Sequence, residues 1–231
     1  MPAEYANSNM RQLLPHINKQ PFRSIHDRPT KFLHSFVYHI HIVQARFSAR
    51  FVCKFQMKVA IQGCLHGELD KVYSTIDFIQ TSRNIKIDLL IICGDFQSVR
   101  NERDLREMAC PAKFRKLGEF YEYYTGQKKA PCPTLFIGGN HEASNYLWEL
   151  YHGGFVCPNI YFMGHAGVIK FGGLRIGGMS GIFKKHHYQT GYFETQPYND
   201  KDCRSIYHVR EYCVLKLAQV REISCRLIIW M

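Results

Sequence analysis

The chain has 231 residues, of which 46% are apolar, so a packed core is expected and disorder throughout is excluded. A formal charge of +11 favours an anionic partner such as nucleic acid or phosphate, although a merely basic surface would look the same. Nine cysteines with no C-x-x-C pair argue against a structural zinc module, and no apolar run approaches the roughly 20 residues a membrane-spanning helix needs.

Residues 1–56 hold two acidic residues, Glu4 and Asp27, against eight Lys/Arg and five His. Within them Phe32 to Ile42 alternates loosely, as a short strand might. The stretch reads as an atypical N-terminal extension, expected to be disordered. Translated upstream sequence, an organelle transit peptide or a structured extension would each fit.

From Met57 the texture is that of an α/β domain. Lys58–Gln62 reads as an apolar strand running into the turn Gly63-Cys64-Leu65-His66-Gly67. Leu69, Val72, Tyr73, Ile76 and Ile79 then recur at helical spacing. Asp88–Cys93 is a second strand, apolar enough to be buried on both faces, and it ends at Gly94-Asp95. Glu102–Met108 and Phe114–Tyr124 read as helices. Thr134–Ile137 is a third strand, ending at Gly138-Gly139-Asn140-His141-Glu142, with a helix expected over Ala143–Leu150. Ile160–Met163, Val168–Phe171 and Leu174–Met179 read as an antiparallel meander, and Ser205–Val220 as a helix.

Cys64 with His66, Asp95, and Asn140 with His141 therefore follow three successive strands. Strand ends on one edge of a largely parallel sheet gather ligands, and flanking glycines let the backbone turn sharply there. Each residue alone has a plain structural reading: a buried thiol, a surface histidine, an Asx turn, a helix cap. The ordered trio is the specific signal. A Cys/His/Asp/Asn donor set suits borderline transition metals better than magnesium or calcium.

This pattern resembles the calcineurin-like metallophosphoesterases, whose motifs run D-x-H, G-D and G-N-H-[DE]. Cysteine in place of the first aspartate makes it similar to the RNA lariat debranching enzymes within that superfamily. Gly94-Asp95-Phe96-Gln97-Ser98-Val99-Arg100-Asn101 and Gly177-Gly178-Met179-Ser180-Gly181-Ile182-Phe183-Lys184 carry the likeness further. It spans roughly 57–220 and leaves out 1–56.

The resemblance implies a metallophosphoesterase β-sandwich flanked by helices. It implies hydrolysis of the 2′–5′ phosphodiester at the branch point of excised intron lariat RNA, in the nucleus. Cys64 and His66 would hold one divalent transition ion (iron, zinc or manganese), Asp95 would bridge to a second, and Asn140 would serve that second ion. His141 would act as the general acid. Glu142 would orient that imidazole or cap the following helix. Residues 180–210 match the family's lariat recognition loop, in which Lys184, Lys185, His187, Tyr188, Tyr192, Arg204, Tyr207 and His208 would contact RNA. Tyr207 and His208 fall on the predicted helix and could simply pack.

The pattern breaks near Arg221. The family supplies further histidines from G-H and H-x-H motifs, and neither follows Val220; the first awaited histidine falls at Trp230. The expectation is a C-terminally incomplete fold with an incomplete second metal site, a divergent tail over 221–231, and a chain inactive or nearly so. Another metallophosphoesterase and a non-catalytic RNA-binding product are the competing readings.

Overall fold

A computed structural model of the chain describes residues 40–46, 56–220 and 227–230. Strands β1 (His41–Arg46) and β2 (Gln56–Gln62) are followed by helix α1 (Leu69–Arg83), β3 (Leu89–Ile92), α2 (Glu102–Arg106), α3 (Phe120–Tyr124) and β4 (Thr134–Phe136). Then come α4 (Ser144–Glu149), β5 (Gly154–Cys157), β6 (Ile160–Phe162), β7 (Ala166–Phe171), β8 (Leu174–Met179) and β9 (Ile182–Phe183). The last elements are α5 (Lys185–Tyr188), α6 (Asp200–Ser205), β10 (His208–Val209), α7 (Glu211–Ala218) and β11 (Leu227–Trp230).

The larger sheet has the order β1-β2-β3-β4-β6-β5, with β2, β3, β4 and β6 mutually parallel and an antiparallel strand at each edge. Alternation along these strands splits the core in two. Met57, Val59, Leu89, Ile91, Leu135 and Ile137 face one side, where Leu174, Ile176 and Ile229 of a second sheet, β11-β8-β7, cover them. Ala60, Leu90, Ile92 and Phe136 face the other side and bury Leu69, Val72, Tyr73 and Ile76 of α1. The result is a β-sandwich with helices on the outer face of the larger sheet.

Four expectations change. The meander read over residues 160–179 is split, because β6 joins the larger sheet beside β4 and only β7 and β8 pair antiparallel in the smaller one. The disorder expected of 1–56 does not extend to residues 41–46, which pair with β2 from His41 opposite Ile61 to Arg46 opposite Gln56; residues 1–39 and 47–55, with the transit-peptide alternative, lie outside the described residues, as do 221–226 and 231 of the tail. The helix read over Phe114–Tyr124 is a 3-10 turn at Ala112–Phe114 and then α3, because Gly118 takes a left-handed conformation (φ 68°) between them. Its Cα lies close against Gly67, and the adjacent Glu119 accepts the Asp70 N–H at 2.7 Å, closing the start of α1. The helix read over Ser205–Val220 is interrupted. Residues 208–209 pair with β9 as a short strand, so apolar periodicity there reflects two different elements.

The segment after β3 is held by Asp104, which is fully buried. Its carboxylate accepts Arg100 Nε at 2.7 Å and Asn145 Nδ2 at 2.6 Å, joining that segment to α4. Burial alone would raise its pKa, but the Arg100 side-chain and backbone donors and Asn145 hold it below the ordinary 3.8. A depressed carboxylate pKa contributes stability that is present above the unfolded value and lost as pH falls through the folded one. Asp104→Asn is therefore expected to melt well below the parent from neutral pH down to about pH 4, with the gap narrowing below that. Thermal melts across pH 2–7 check it, and a gap unchanged at the acid end would refute the role.

Candidate metal centre

The loops after β2, β3 and β4 meet at one edge of the larger sheet and are stitched through backbone groups. The Leu65 N–H donates to the Gly94 carbonyl at 3.1 Å and the His66 N–H to the Asp95 carbonyl at 2.7 Å. The His141 N–H donates to Asp95 Oδ1 at 3.0 Å, bringing in the third loop. Two side chains of the centre sit on left-handed backbone, His66 at φ 53° and Asp95 at φ 42°. For non-glycine residues this costs of order 1–3 kcal/mol each, which surrounding bonds must outweigh.

Cys64 Sγ, a ring nitrogen of His66 and a carboxylate oxygen of Asp95 all lie within 4.8 Å of one another. His66 Nδ1 is 3.8 Å and His141 Nδ1 3.4 Å from Asp95 Oδ2, and the two imidazoles stand 5.8 Å apart. Burial pushes the Cys64 thiol up, and the Asp95 and Glu142 carboxylates push it further. The same negative surroundings that disfavour a bare thiolate would stabilise one paired with a cation. A converging thiol, imidazole and carboxylate in a negative field fit a divalent transition ion. Asn140 is half-exposed in the third loop, directly before His141.

Glu142 takes neither expected role. It is buried, and its oxygens accept N–H groups from Phe96 at 2.7 Å, Gln97 at 2.8 Å and Gly139 at 3.1 Å. The cap position of α4 is Ala143, without a side-chain cap. Burial, reinforced by Asp95, pushes the Glu142 carboxyl up to about 8 against the pull of the three N–H donors. The motif placed this residue beside the metal loops. Which N–H groups it collects depends on a tertiary approach that spacing does not encode.

Beside the third loop, Gly138, Gly139, His165, Ser180 and Tyr207 line a pocket. Ser180 Oγ accepts the Gly138 N–H at 2.9 Å and donates to the Gly164 carbonyl at 2.7 Å, so the end of β8 braces the loop.

The residues expected to touch RNA divide in two. Lys184, Lys185 and Arg204 are exposed, Tyr188 and Tyr207 are half-buried, and Tyr188 packs on Phe183 with ring centroids 5.4 Å apart. His187 faces inward at its Nδ1, 2.8 Å from that of His208. His208 is buried, and burial together with the His187, Arg210 and Lys184 charges depresses it to about 4. Tyr192 is turned inward as well. Its hydroxyl meets His165 Nδ1 at 3.0 Å and its ring lies 4.8 Å from Trp148. The structure thus gives Tyr192 and His208 internal partners, as a polar tip turned inward needs.

The loop has a buried cation that sequence reading passed over. Arg210 is 1% exposed; it donates to Glu194 Oε1 at 2.6 Å, to the His187 carbonyl at 2.9 Å and to Thr190 Oγ1 at 2.9 Å. Its guanidinium lies 4.6 Å from the Tyr192 ring centroid. One side chain thereby ties both ends of the loop together. Its position inside the helix predicted over Ser205–Val220 gave no sign of burial.

The family model for calcineurin-like phosphoesterases matches residues 57–216. The lariat debranching enzyme of Arabidopsis thaliana is 58% identical over 166 residues, covering 72% of this chain and 40% of that protein. Lariat debranching enzyme A of Xenopus laevis is 60% identical over 166 residues, 72% of this chain and 31% of its own length. The lariat debranching enzyme of Homo sapiens is 59% identical over 166 residues, 72% of this chain and 30% of its own. The chain thus spans between 30% and 40% of the length of these relatives.

Proposed function

Because the chain belongs to the calcineurin-like phosphoesterase family, we propose that it serves metal-dependent hydrolysis of the 2′–5′ phosphodiester in branched intron RNA, and so intron turnover. The observation that carries this reading is the convergence of Cys64, His66 and Asp95, with the His141 ring 3.4 Å from the same carboxylate. Strong similarity to proteins named as lariat debranching enzymes supports the choice of ester.

In this reading Cys64, His66 and Asp95 would hold one divalent ion, and Asp95 with Asn140 would serve a second. The thiolate favours zinc or iron over harder cations, with manganese a third candidate. Such ions, when bound, supply Lewis acidity toward the phosphate and lower the pKa of a water. Asp95 orients the third loop by accepting the His141 N–H. The half-exposed His141 imidazole is then free to pass a proton to the leaving 2′ oxygen. Lys184, Lys185 and Arg204 offer exposed cations to RNA phosphates, with His187, Tyr188 and Tyr207 alongside them. A nuclear site of action belongs to the same proposal; seven free cysteines among the described residues agree with a reducing compartment.

His141→Ala is expected to lower cleavage of a branched RNA by about 10²–10⁴-fold while leaving bound metal unchanged. The check is a branched-RNA cleavage assay with metal analysis on the same samples. Parent protein that binds branched RNA and metal without cutting the 2′–5′ bond would sink the enzymatic reading in favour of a binding role.

A further inference from the structure

We propose that Glu142 is the positioning residue of the metal centre, setting the distance between the Asp95 loop and the Asn140–His141 loop without touching a metal. The argument rests on where its three hydrogen bonds go. Phe96 and Gln97 directly follow Asp95, and Gly139 directly precedes Asn140. The carboxylate therefore grips the loops on both sides of the gap, at 2.7, 2.8 and 3.1 Å, from a position only 3% exposed.

The Asp95 loop needs such a hold. Asp95 and Gln97 have left-handed backbones, at φ 42° and 60°. Two oxygens can satisfy three converging N–H groups. An amide offers one oxygen and turns an NH2 toward the remaining donor, leaving buried N–H groups unpaired. Phe96 between them is wedged on Phe136, ring centroids 3.9 Å apart, so the loop cannot easily shift to compensate.

The inference rests on the proposed function only in taking Cys64, His66 and Asp95 as a metal centre. The test compares the full chain with E142Q and E142D by cobalt(II) titration, following the thiolate-to-cobalt absorption, and by amide hydrogen exchange. Removing an outer hydrogen-bonding partner of a metal centre typically weakens binding about 10–100-fold, and that is the loss expected for E142Q. Exchange should quicken at Phe96, Gln97 and Gly139 while Leu90 and Ile91 stay protected. E142D keeps the carboxylate and is expected to recover part of the affinity. If E142Q does not fold, the E142D affinity decides alone: parent-like binding overturns the proposal. Unchanged cobalt affinity and spectrum in E142Q also overturns it, whatever the melting temperature does, as does a parent chain that binds no cobalt. If the parent binds cobalt, E142Q binds it weakly, and neither cuts branched RNA, the proposed function falls and the positioning role stands.

Discussion

Asp95→Ala is expected to strip the centre of metal, weakening binding by more than the 10–100-fold typical of an outer partner, and to take cleavage of branched RNA below detection. Asp95 does three things at once. One oxygen accepts the His141 N–H at 3.0 Å, while the other faces His66 at 3.8 Å and His141 at 3.4 Å. It also carries a left-handed backbone at φ 42°, which aspartate tolerates better than alanine. Asp95→Asn separates these effects. It keeps the shape, the backbone tolerance and an acceptor for the His141 N–H, and loses the charge and one of the two acceptor oxygens. The asparagine variant should melt near the parent yet bind metal poorly, whereas the alanine variant should lose both. Metal content per chain and thermal melts of the three proteins decide it. Parent-like metal binding by Asp95→Asn would remove this carboxylate from the centre.

Gly181→Ala is expected to destabilise the fold by more than about 3 kcal/mol, in the range reserved for severe single substitutions. A Cβ there would stand 1.9 Å from the Tyr207 carbonyl oxygen, and the backbone is left-handed at φ 88°. The obstacle is main chain, so no side-chain rotation relieves it. The same residue donates its N–H to the Gly138 carbonyl at 2.8 Å, so displacement would reach the third metal loop. Gly173→Ala is the control: φ 82° with nothing within 4 Å of the added carbon. It should cost only the left-handed penalty of about 1–2 kcal/mol. Urea denaturation of both variants gives the comparison, and equal losses would mean the Tyr207 approach relaxes freely.

The three strand-loop units were legible because apolar runs, glycines and donor residues all sit within a few positions of one another. Cys64, His66 and Asp95 come together as that order implies, and His141 joins them through Asp95. Glu142, Arg210 and His165 were opaque for a shared reason. Each is a polar group satisfied by partners far along the chain, such as Phe96 for Glu142 or Glu194 for Arg210. A sequence lists donors and acceptors without saying which will meet. The helix read over Ser205–Val220 failed differently. Ile206, Val209, Cys213 and Leu217 happen to continue one period, and only the pairing of His208 and Val209 with β9 breaks it. The cations Lys184, Lys185 and Arg204 were named through the resemblance, and their exposure is unsurprising because solvated charge needs no tertiary partner. Tyr192 and His208 needed the fold to reveal which way they point.

The left-handed turns at His66 and Asp95 set the terms for transplanting this centre. A graft that copied only the donor side chains onto other strands would carry none of the bends that aim them. The portable unit is larger: both turns, the two backbone stitches between them, and a carboxylate in the place of Glu142 to hold the loops closed from behind.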